Sequence, residues 1–179
     1  MRTSLVFSIA VSLIASLAWA AWPTQVTEIK VEKGKTASVE GKLEAGAPVA
    51  DLAWASSSQV ACFPATQNEK FQGNHVLYAA TLPPKSVMTV TLTPKNTSAD
   101  MSLYAYQIGA NSFDLPPNLA RCTSCEADHK WDRPKKGKTQ DHTRSVKLTS
   151  TTNPYNVVIG VAGPKGVTAG EFTLSVEVK

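Results

Sequence analysis

The stretch Val87 to Ile108 constrains the fold more strongly than any other part of the sequence. Its first run, VMTVTLT, places Met88, Val90 and Leu92 on one face, and its second run, MSLYAYQI, alternates in the same manner. A period of two is the spacing that a β-strand imposes on its side chains. The residues between the runs, PKNTSAD, favour turns. The stretch therefore predicts an antiparallel pair of strands that must bury one face against other strands.

Shorter alternating runs, separated by turn signals, occur along most of the remaining chain, without a helical period. The run from Tyr155 to Val161 is apolar on both faces, which predicts a strand in the centre of a sheet. The pattern indicates an all-β fold: a single antiparallel β-sandwich or jelly roll of eight or nine strands with one long polar loop. The other predicted strands are Val26 to Val31, Thr36 to Leu43, Asn74 to Leu82, Val146 to Leu148 and Gly170 to Val178, with weaker candidates at Val49 to Ala55 and Val60 to Phe63.

The same alternation predicts which side chains form the core. In the last run, apolar residues occupy every second position and polar residues occupy the positions between them. Apolar residues that recur with the period of a strand belong on its buried face. We therefore expect a core that includes Leu103, Val157, Ile159, Phe172 and Leu174.

The N-terminus has the features of a secretory signal peptide. Arg2 precedes an apolar run from Leu5 to Leu17, and Ala18-Trp19-Ala20 has the small-x-small pattern of a cleavage site. The apolar run is shorter than the roughly 20 residues that span a bilayer. We therefore expect residues 1–20 to be a signal peptide and residues 21–179 to form one domain, exported to the periplasm or secreted, without a transmembrane anchor after cleavage.

The segment Arg121 to Arg144 does not fit the strand pattern. Trp131 is its one large apolar residue, and the segment contains seven basic and four acidic residues. The formal net charge of the whole chain is only +4, or +3 once Arg2 leaves with the signal peptide, so the basicity is local. A structureless connection of this length is uncommon in a compact domain and tends to be functional or disordered. We therefore take this segment, the basic loop, as the candidate binding site.

Within the basic loop, an aromatic side chain lies next to cations, which is a composition typical of binding surfaces. The basic run would meet an anionic envelope component by charge, or would only keep the loop soluble. Trp131 would take part in binding, or would pin the loop to the sandwich. An exported protein is the other expected kind of partner, and nucleic acid is not expected outside the cytoplasm. The candidate binding residues are His129, Lys130, Trp131, Arg133, Lys135, Lys136 and Lys138.

Three pieces of the second half of the chain carry a resemblance to a known family. They are Asn74 to Leu82, the run VMTVTLTPKNTSADMSLYAYQIG, and NPYNVVIGVAGPKGVTAGEFTLSVEV with its Gly-x-Phe-Thr-Leu ending. Together they resemble the bacterial pre-peptidase C-terminal domain, over roughly Gly73 to Lys179. The resemblance implies a secreted β-sandwich with a non-catalytic accessory or binding role. Asn74-His75 stands where that family usually has an aspartate before an aromatic residue, and the basic loop lies outside the pattern.

The chain contains three cysteines, Cys62, Cys122 and Cys125. In an exported chain an odd count predicts one disulfide and one free thiol. A bridge from Cys62 to either partner closes a larger circuit than Cys122 to Cys125 and stabilises more in the chain-entropy model. Entropy does not decide connectivity, so both pairings stay open. The Cys-x-x-Cys motif lacks the following helix of thioredoxin-like redox sites.

A metal site is the alternative use of the same segment. Cys122, Cys125, His129 and His142 supply two thiolates and two imidazoles, which is the ligand set of a tetrahedral structural zinc site. In an oxidising compartment, however, the thiols tend to be bridged, which removes two ligands. The principal expectation is therefore no cofactor, and zinc is the alternative. His75, at the start of a predicted strand, is interpreted as an edge or capping residue.

Catalytic motifs are absent from the sequence. It contains no Gly-x-Ser-x-Gly elbow, no His-Glu-x-x-His and no phosphate-binding glycine loop. We therefore expect an exported protein that is not an enzyme and acts as a binding, accessory or envelope-structural module. The alternative is a small periplasmic zinc-binding or redox protein that uses the Cys and His residues of the basic loop.

Overall fold

The computed structural model describes residues 21–49, 51–52, 55, 58, 67–96, 99–119, 121–127, 136 and 142–179. Its regular structure in these ranges is β-strand, apart from two short 3-10 turns at Leu43–Ala45 and Asn68–Phe71. No helix in the described ranges is long and apolar enough to cross a membrane. The strands are β1 Val26–Glu28, β2 Thr36–Lys42, β3 Ala47–Pro48, β4 Asn74–Leu82, β5 Ser86–Pro94, β6 Ser102–Gly109, β7 Ser124–Glu126, β8 Arg144–Ser150, β9 Tyr155–Ala162 and β10 Glu171–Val178.

The strands form two sheets. Six strands make the first sheet, in the order β1-β4-β9-β6-β7 with β3 also paired to β4, and four make the second, in the order β2-β10-β5-β8. Among the strand pairs of the described ranges, only β1 and β4 pair in parallel. The predicted all-β sandwich is therefore confirmed, and β9 is central in its sheet as its two apolar faces predicted.

One prediction about pairing is wrong. The two strands of the stretch Val87 to Ile108 do not pair with each other, because β5 pairs with β10 and β8, whereas β6 pairs with β9 and β7. The connection between them crosses from one sheet to the other. Alternation in sequence reports which side chains face inward, but it does not identify the neighbouring strand. Both strands nevertheless bury the faces that alternation assigned to them.

The main core lies between the two sheets. It holds the inward side chains of β4, β5, β6, β8, β9 and β10. All five side chains predicted to be buried belong to it, and each is fully enclosed: Leu103, Val157, Ile159, Phe172 and Leu174.

A second apolar cluster covers the outer face of the six-stranded sheet. From the sheet it takes Ala79, Tyr104, Tyr106, Val158 and Ala162. Segments without regular strands close over these side chains, so the six-stranded sheet is buried on both faces. The covering residues are Leu52, Ala55, Phe71, Leu115, Cys122 and Ala127, and Val26 of β1 adds to the cluster from the sheet itself.

Several sequence predictions fall wholly or partly outside the described residues. The signal peptide at 1–20 and the weak strand candidate Val60 to Phe63 lie there, as does most of the basic loop. Of the weak candidate Val49 to Ala55, only positions 49, 51, 52 and 55 are described, and none of these is in a strand. The segment Arg121 to Arg144 is not loop throughout, because β7 lies within it and β8 begins at its last residue.

Candidate functional site

A cavity of about 520 Å³ opens beside the outer edge of β4. Two short strands pair with this edge. β3 aligns Ala47 with His75, and β1 aligns Val26 with Leu77. The cavity lies in the gap between them, around Val76. Its lining residues in the described chain are Gln25, Ala45, Gly46, Ala47, Val49, Asp51, His75, Val76, Leu77, Tyr104, Pro116 and Pro117.

Two residues hold the turn before β3 close to β4. A Cβ atom at Gly46 would lie 1.9 Å from the carbonyl oxygen of His75, so only glycine permits this approach. The buried side-chain amide of Asn74 donates to the carbonyls of Leu43 at 2.9 Å, Thr168 at 3.1 Å and Gly46 at 3.3 Å. A carboxylate at this position could not donate these hydrogen bonds.

His75 forms the polar part of the cavity wall. Its Nδ1 lies 2.9 Å from the Tyr104 hydroxyl, and its Nε2 is in close contact with the Phe71 carbonyl. Burial lowers the pKa of His75, so the imidazole is neutral at pH 7. Nε2–H then donates to the Phe71 carbonyl, and Nδ1 accepts from the Tyr104 hydroxyl. The interpretation of His75 as an edge or capping residue is therefore wrong, because it is a buried residue within a strand paired on both sides.

Tyr104 lies behind His75, on the outer face of the six-stranded sheet. Its side chain is fully buried, and its ring makes edge contacts with Phe71 and Tyr106, each at 6.1 Å between centroids. Burial raises the pKa of Tyr104 well above its ordinary value. The hydroxyl therefore stays protonated and remains a donor to His75.

Cys122 is a buried thiol in the apolar cluster on the outer face of the six-stranded sheet, which also contains Tyr104. Its Sγ donates to the carbonyls of Ser124 at 3.2 Å and Ala105 at 3.4 Å. Burial raises the pKa of Cys122 to about 12, although these hydrogen bonds oppose the shift. Of the two cysteines in the described ranges, Cys122 alone is free. A Cys122–Cys125 bridge, one of the two pairings left open by the sequence, is therefore not formed in this structure.

The ends of the basic loop are held together at the sheets. Glu126 in β7 accepts a hydrogen bond from the backbone N–H of Ser145 in β8 at 2.5 Å. Lys136 is exposed, whereas His142 is buried and Arg144 is fully enclosed. The remaining candidate binding residues lie outside the described ranges: His129, Lys130, Trp131, Arg133, Lys135 and Lys138.

The proposed zinc ligands are described only in part. Cys125 is half-buried in β7, in register with Tyr104 of β6. The described residues contain no group of three or more His, Cys, Asp or Glu side chains placed to hold a metal ion. Because His129 and Cys62 lie outside these residues, both the zinc alternative and the pairing of Cys62 stay predictions.

Comparison with known proteins finds similarity among solved structures. No family model matches the chain. No curated protein matches it either. A periplasmic inhibitor of g-type lysozyme from Aeromonas hydrophila is 11% identical, with a TM-score of 0.43 over 87% of this chain and 98% of the inhibitor. CorA, a surface-associated copper-binding protein of Methylomicrobium album, is 13% identical, with a TM-score of 0.44 over 87% of this chain and 98% of CorA.

A third solved structure is a pre-peptidase C-terminal domain, the family that the strand patterns of this sequence resemble. It belongs to a collagenase of Bacillus anthracis and is 9% identical, with a TM-score of 0.39 over 89% of this chain and all of that domain. Identities this low concern the fold and not the site. The class that the fold defines is an all-β sandwich with a preformed cavity at one sheet edge.

Proposed function

We propose that this chain is an exported, non-catalytic binding module that contacts an anionic envelope component through its basic loop. Export is supported by the signal-like N-terminus of the sequence. The charge of the loop supports an anionic partner, since its basic residues are concentrated in one segment of a chain whose overall charge is small.

The observation that carries the non-catalytic part is the state of three buried ionisable groups in or near the cavity: His75, Tyr104 and Cys122. His75 uses both ring nitrogens for internal hydrogen bonds, which leaves no lone pair to accept a proton from a substrate. Burial raises the pKa of Tyr104 and Cys122, so neither is an activated nucleophile at neutral pH. His75 and Tyr104 line the cavity, Cys122 lies in the same apolar cluster as Tyr104, and none of the three supplies a base or a nucleophile.

Binding through the loop requires the loop to be reachable. Lys136, the one residue between 128 and 141 that the structure describes, is exposed. The hydrogen bond between Glu126 and Ser145 holds β7 and β8 together where the loop leaves them. The described ends of the loop, at Glu126 and Ser145, are therefore fixed on the sandwich.

The test is association of the mature protein with the isolated cell envelope over a salt series. The wild type is compared with a variant in which Arg133, Lys135, Lys136 and Lys138 are replaced by alanine. We expect the variant to bind more weakly and with less dependence on salt, because exposed charges act through a field that salt screens within about 8 to 10 Å.

A matched control loses the same charge elsewhere. Lys30, Lys35, Lys165 and Lys179 are all exposed and lie outside the basic loop. Their replacement by alanine should leave most of the salt-dependent binding in place. Three identical binding curves would show that the basic run is only a solvated surface and would overturn the proposed role of the loop.

A further inference from the structure

We propose that the cavity beside β4 binds a small apolar molecule, which it recognises by the length of the hydrocarbon part that it covers. The cavity volume of about 520 Å³ lies within the range of roughly 300 to 1,000 Å³ that small-molecule sites occupy. None of the described residues of the basic loop lines this cavity, so the proposal is tested independently of the proposed function.

The lining combines buried residues with apolar residues that water still reaches. His75, Val76 and Tyr104 are buried. Covering the exposed apolar surface with a hydrocarbon group removes both surfaces from water and favours binding. The apolar lining residues that keep some exposure to solvent are Ala45, Ala47, Val49, Leu77, Pro116 and Pro117.

The ionisable side chains in the described lining are already engaged within the protein. Nδ1 of His75 lies 2.9 Å from the Tyr104 hydroxyl, and its Nε2 is in close contact with the Phe71 carbonyl. Asp51, although exposed, also has an interaction partner in the protein, so we infer no charged group for the ligand. A polar ligand group placed against His75 would give up its hydrogen bonds to water and find both ring nitrogens occupied. The affinity should therefore come from the apolar contacts.

The walls are already in place before a ligand arrives. Asn74 fixes the turn before β3 through its three hydrogen bonds, and the Ala47–His75 register fixes β3 against β4. The turn lies close to β4 because Gly46 has no Cβ atom to meet the carbonyl oxygen of His75. A preformed site avoids the cost of ordering side chains on binding.

The test uses uncharged probes that share one hydroxyl group and differ in apolar length: 1-butanol, 1-pentanol and 1-hexanol. Binding to the mature protein is followed at pH 7 through backbone amide NMR shifts. We expect saturable shifts at the lining residues Gly46 and Leu77, but not at Gly166 outside the lining. The dissociation constant should fall about three- to fourfold for each added methylene group.

A fourth probe separates apolar contact from length. 1,6-Hexanediol is as long as 1-hexanol but has a hydroxyl group at both ends, so it should bind more weakly. No saturable shift with any probe, an affinity that does not change with chain length, or equal binding of the diol and 1-hexanol would overturn the proposal.

Variants locate the site. Ala47→Phe and Ala45→Phe each place a ring at an exposed lining position and should weaken or abolish the shifts caused by 1-hexanol. Ala169→Phe, at an exposed position outside the lining, should leave the shifts unchanged. Binding of 1-hexanol that is unchanged in both lining variants would contradict the proposed site. If neither lining variant folds, the chain-length series and the shift map of the wild type decide the matter.

Discussion

Tyr104 lies directly opposite Gly160 across β6 and β9, and its ring fills the space that a side chain at position 160 would need. A Cβ atom at Gly160 would lie 1.9 Å from Cζ of the ring. The ring cannot easily move away, because it is fully buried against Phe71 and Tyr106. The hydroxyl that contacts His75 is thus positioned by a glycine on the neighbouring strand.

Gly160→Ala should therefore destabilise the protein. Overpacking of a buried site typically costs about 1 to 3 kcal/mol, and here it would also displace the Tyr104 hydroxyl. Thermal unfolding of the variant should show a clearly lower Tm. Gly109→Ala is the control, since a Cβ atom there meets nothing within 4 Å, and its Tm should stay close to wild type. Equal Tm values for the two variants would show that the ring does not depend on this glycine.

Tyr104→Phe should destabilise the protein through His75. The change removes the hydroxyl that donates to Nδ1 and leaves a buried acceptor unsatisfied, which costs about 1 to 3 kcal/mol. Chemical denaturation measures the loss in the free energy of unfolding. The control is Tyr155→Phe, which removes a hydroxyl from a half-buried side chain and should cost less. A Tyr104→Phe variant as stable as the wild type would mean that the His75 contact contributes little.

Burial of His75 also predicts how stability depends on pH. The unfolded chain protonates a histidine near pH 6.5, whereas the lowered pKa keeps the folded state neutral to lower pH. Below pH 6.5 the unfolded state therefore binds more protons, so stability is fully present above that pH and falls as pH drops towards the folded-state pKa. His75→Gln should flatten this part of the curve of unfolding free energy against pH. Parallel curves for wild type and variant would rule out His75 as the source of the loss of stability below pH 6.5.

The thiols offer a separate test of the compartment and of the zinc alternative. Since Cys122 is free, we propose that the disulfide joins Cys62 to Cys125. The native exported protein should react very slowly with a thiol reagent, because Cys122 is buried and its pKa is raised to about 12. Denatured without reductant, it should show one thiol per chain, which Cys122→Ala removes, and no zinc. Three reactive thiols together with bound zinc would instead support the site formed by Cys122, Cys125, His129 and His142.

The sequence predicted which side chains of each strand are buried, because a period of two is visible within a few residues. β4 begins and ends where alternation placed it, and Phe172 and Leu174 are buried as expected. Sheet membership was not predictable in the same way. β5 and β6 lie next to each other in the chain but belong to different sheets, and that choice depends on partners far away in the sequence.

The cavity was also not predictable. Its polar wall joins His75 to Tyr104, 29 positions further along the chain. The two side chains come together because β4 and β6 pair with opposite edges of β9. The residues that cover the outer face, such as Phe71 and Leu115, are isolated apolar positions in irregular segments and carry no periodic signal. The asparagine at position 74 was a visible departure from the resembled family, and it marked the start of the strand that lines the cavity.

The central claim is that this protein binds envelope material without transforming it. The direct measurement captures envelope material on immobilised mature protein and follows its amount and mass over time. We predict saturable capture that high salt reverses, with the released material unchanged in mass. Products that accumulate with time and in proportion to the amount of protein would contradict the claim, because they would show that the bound material is turned over.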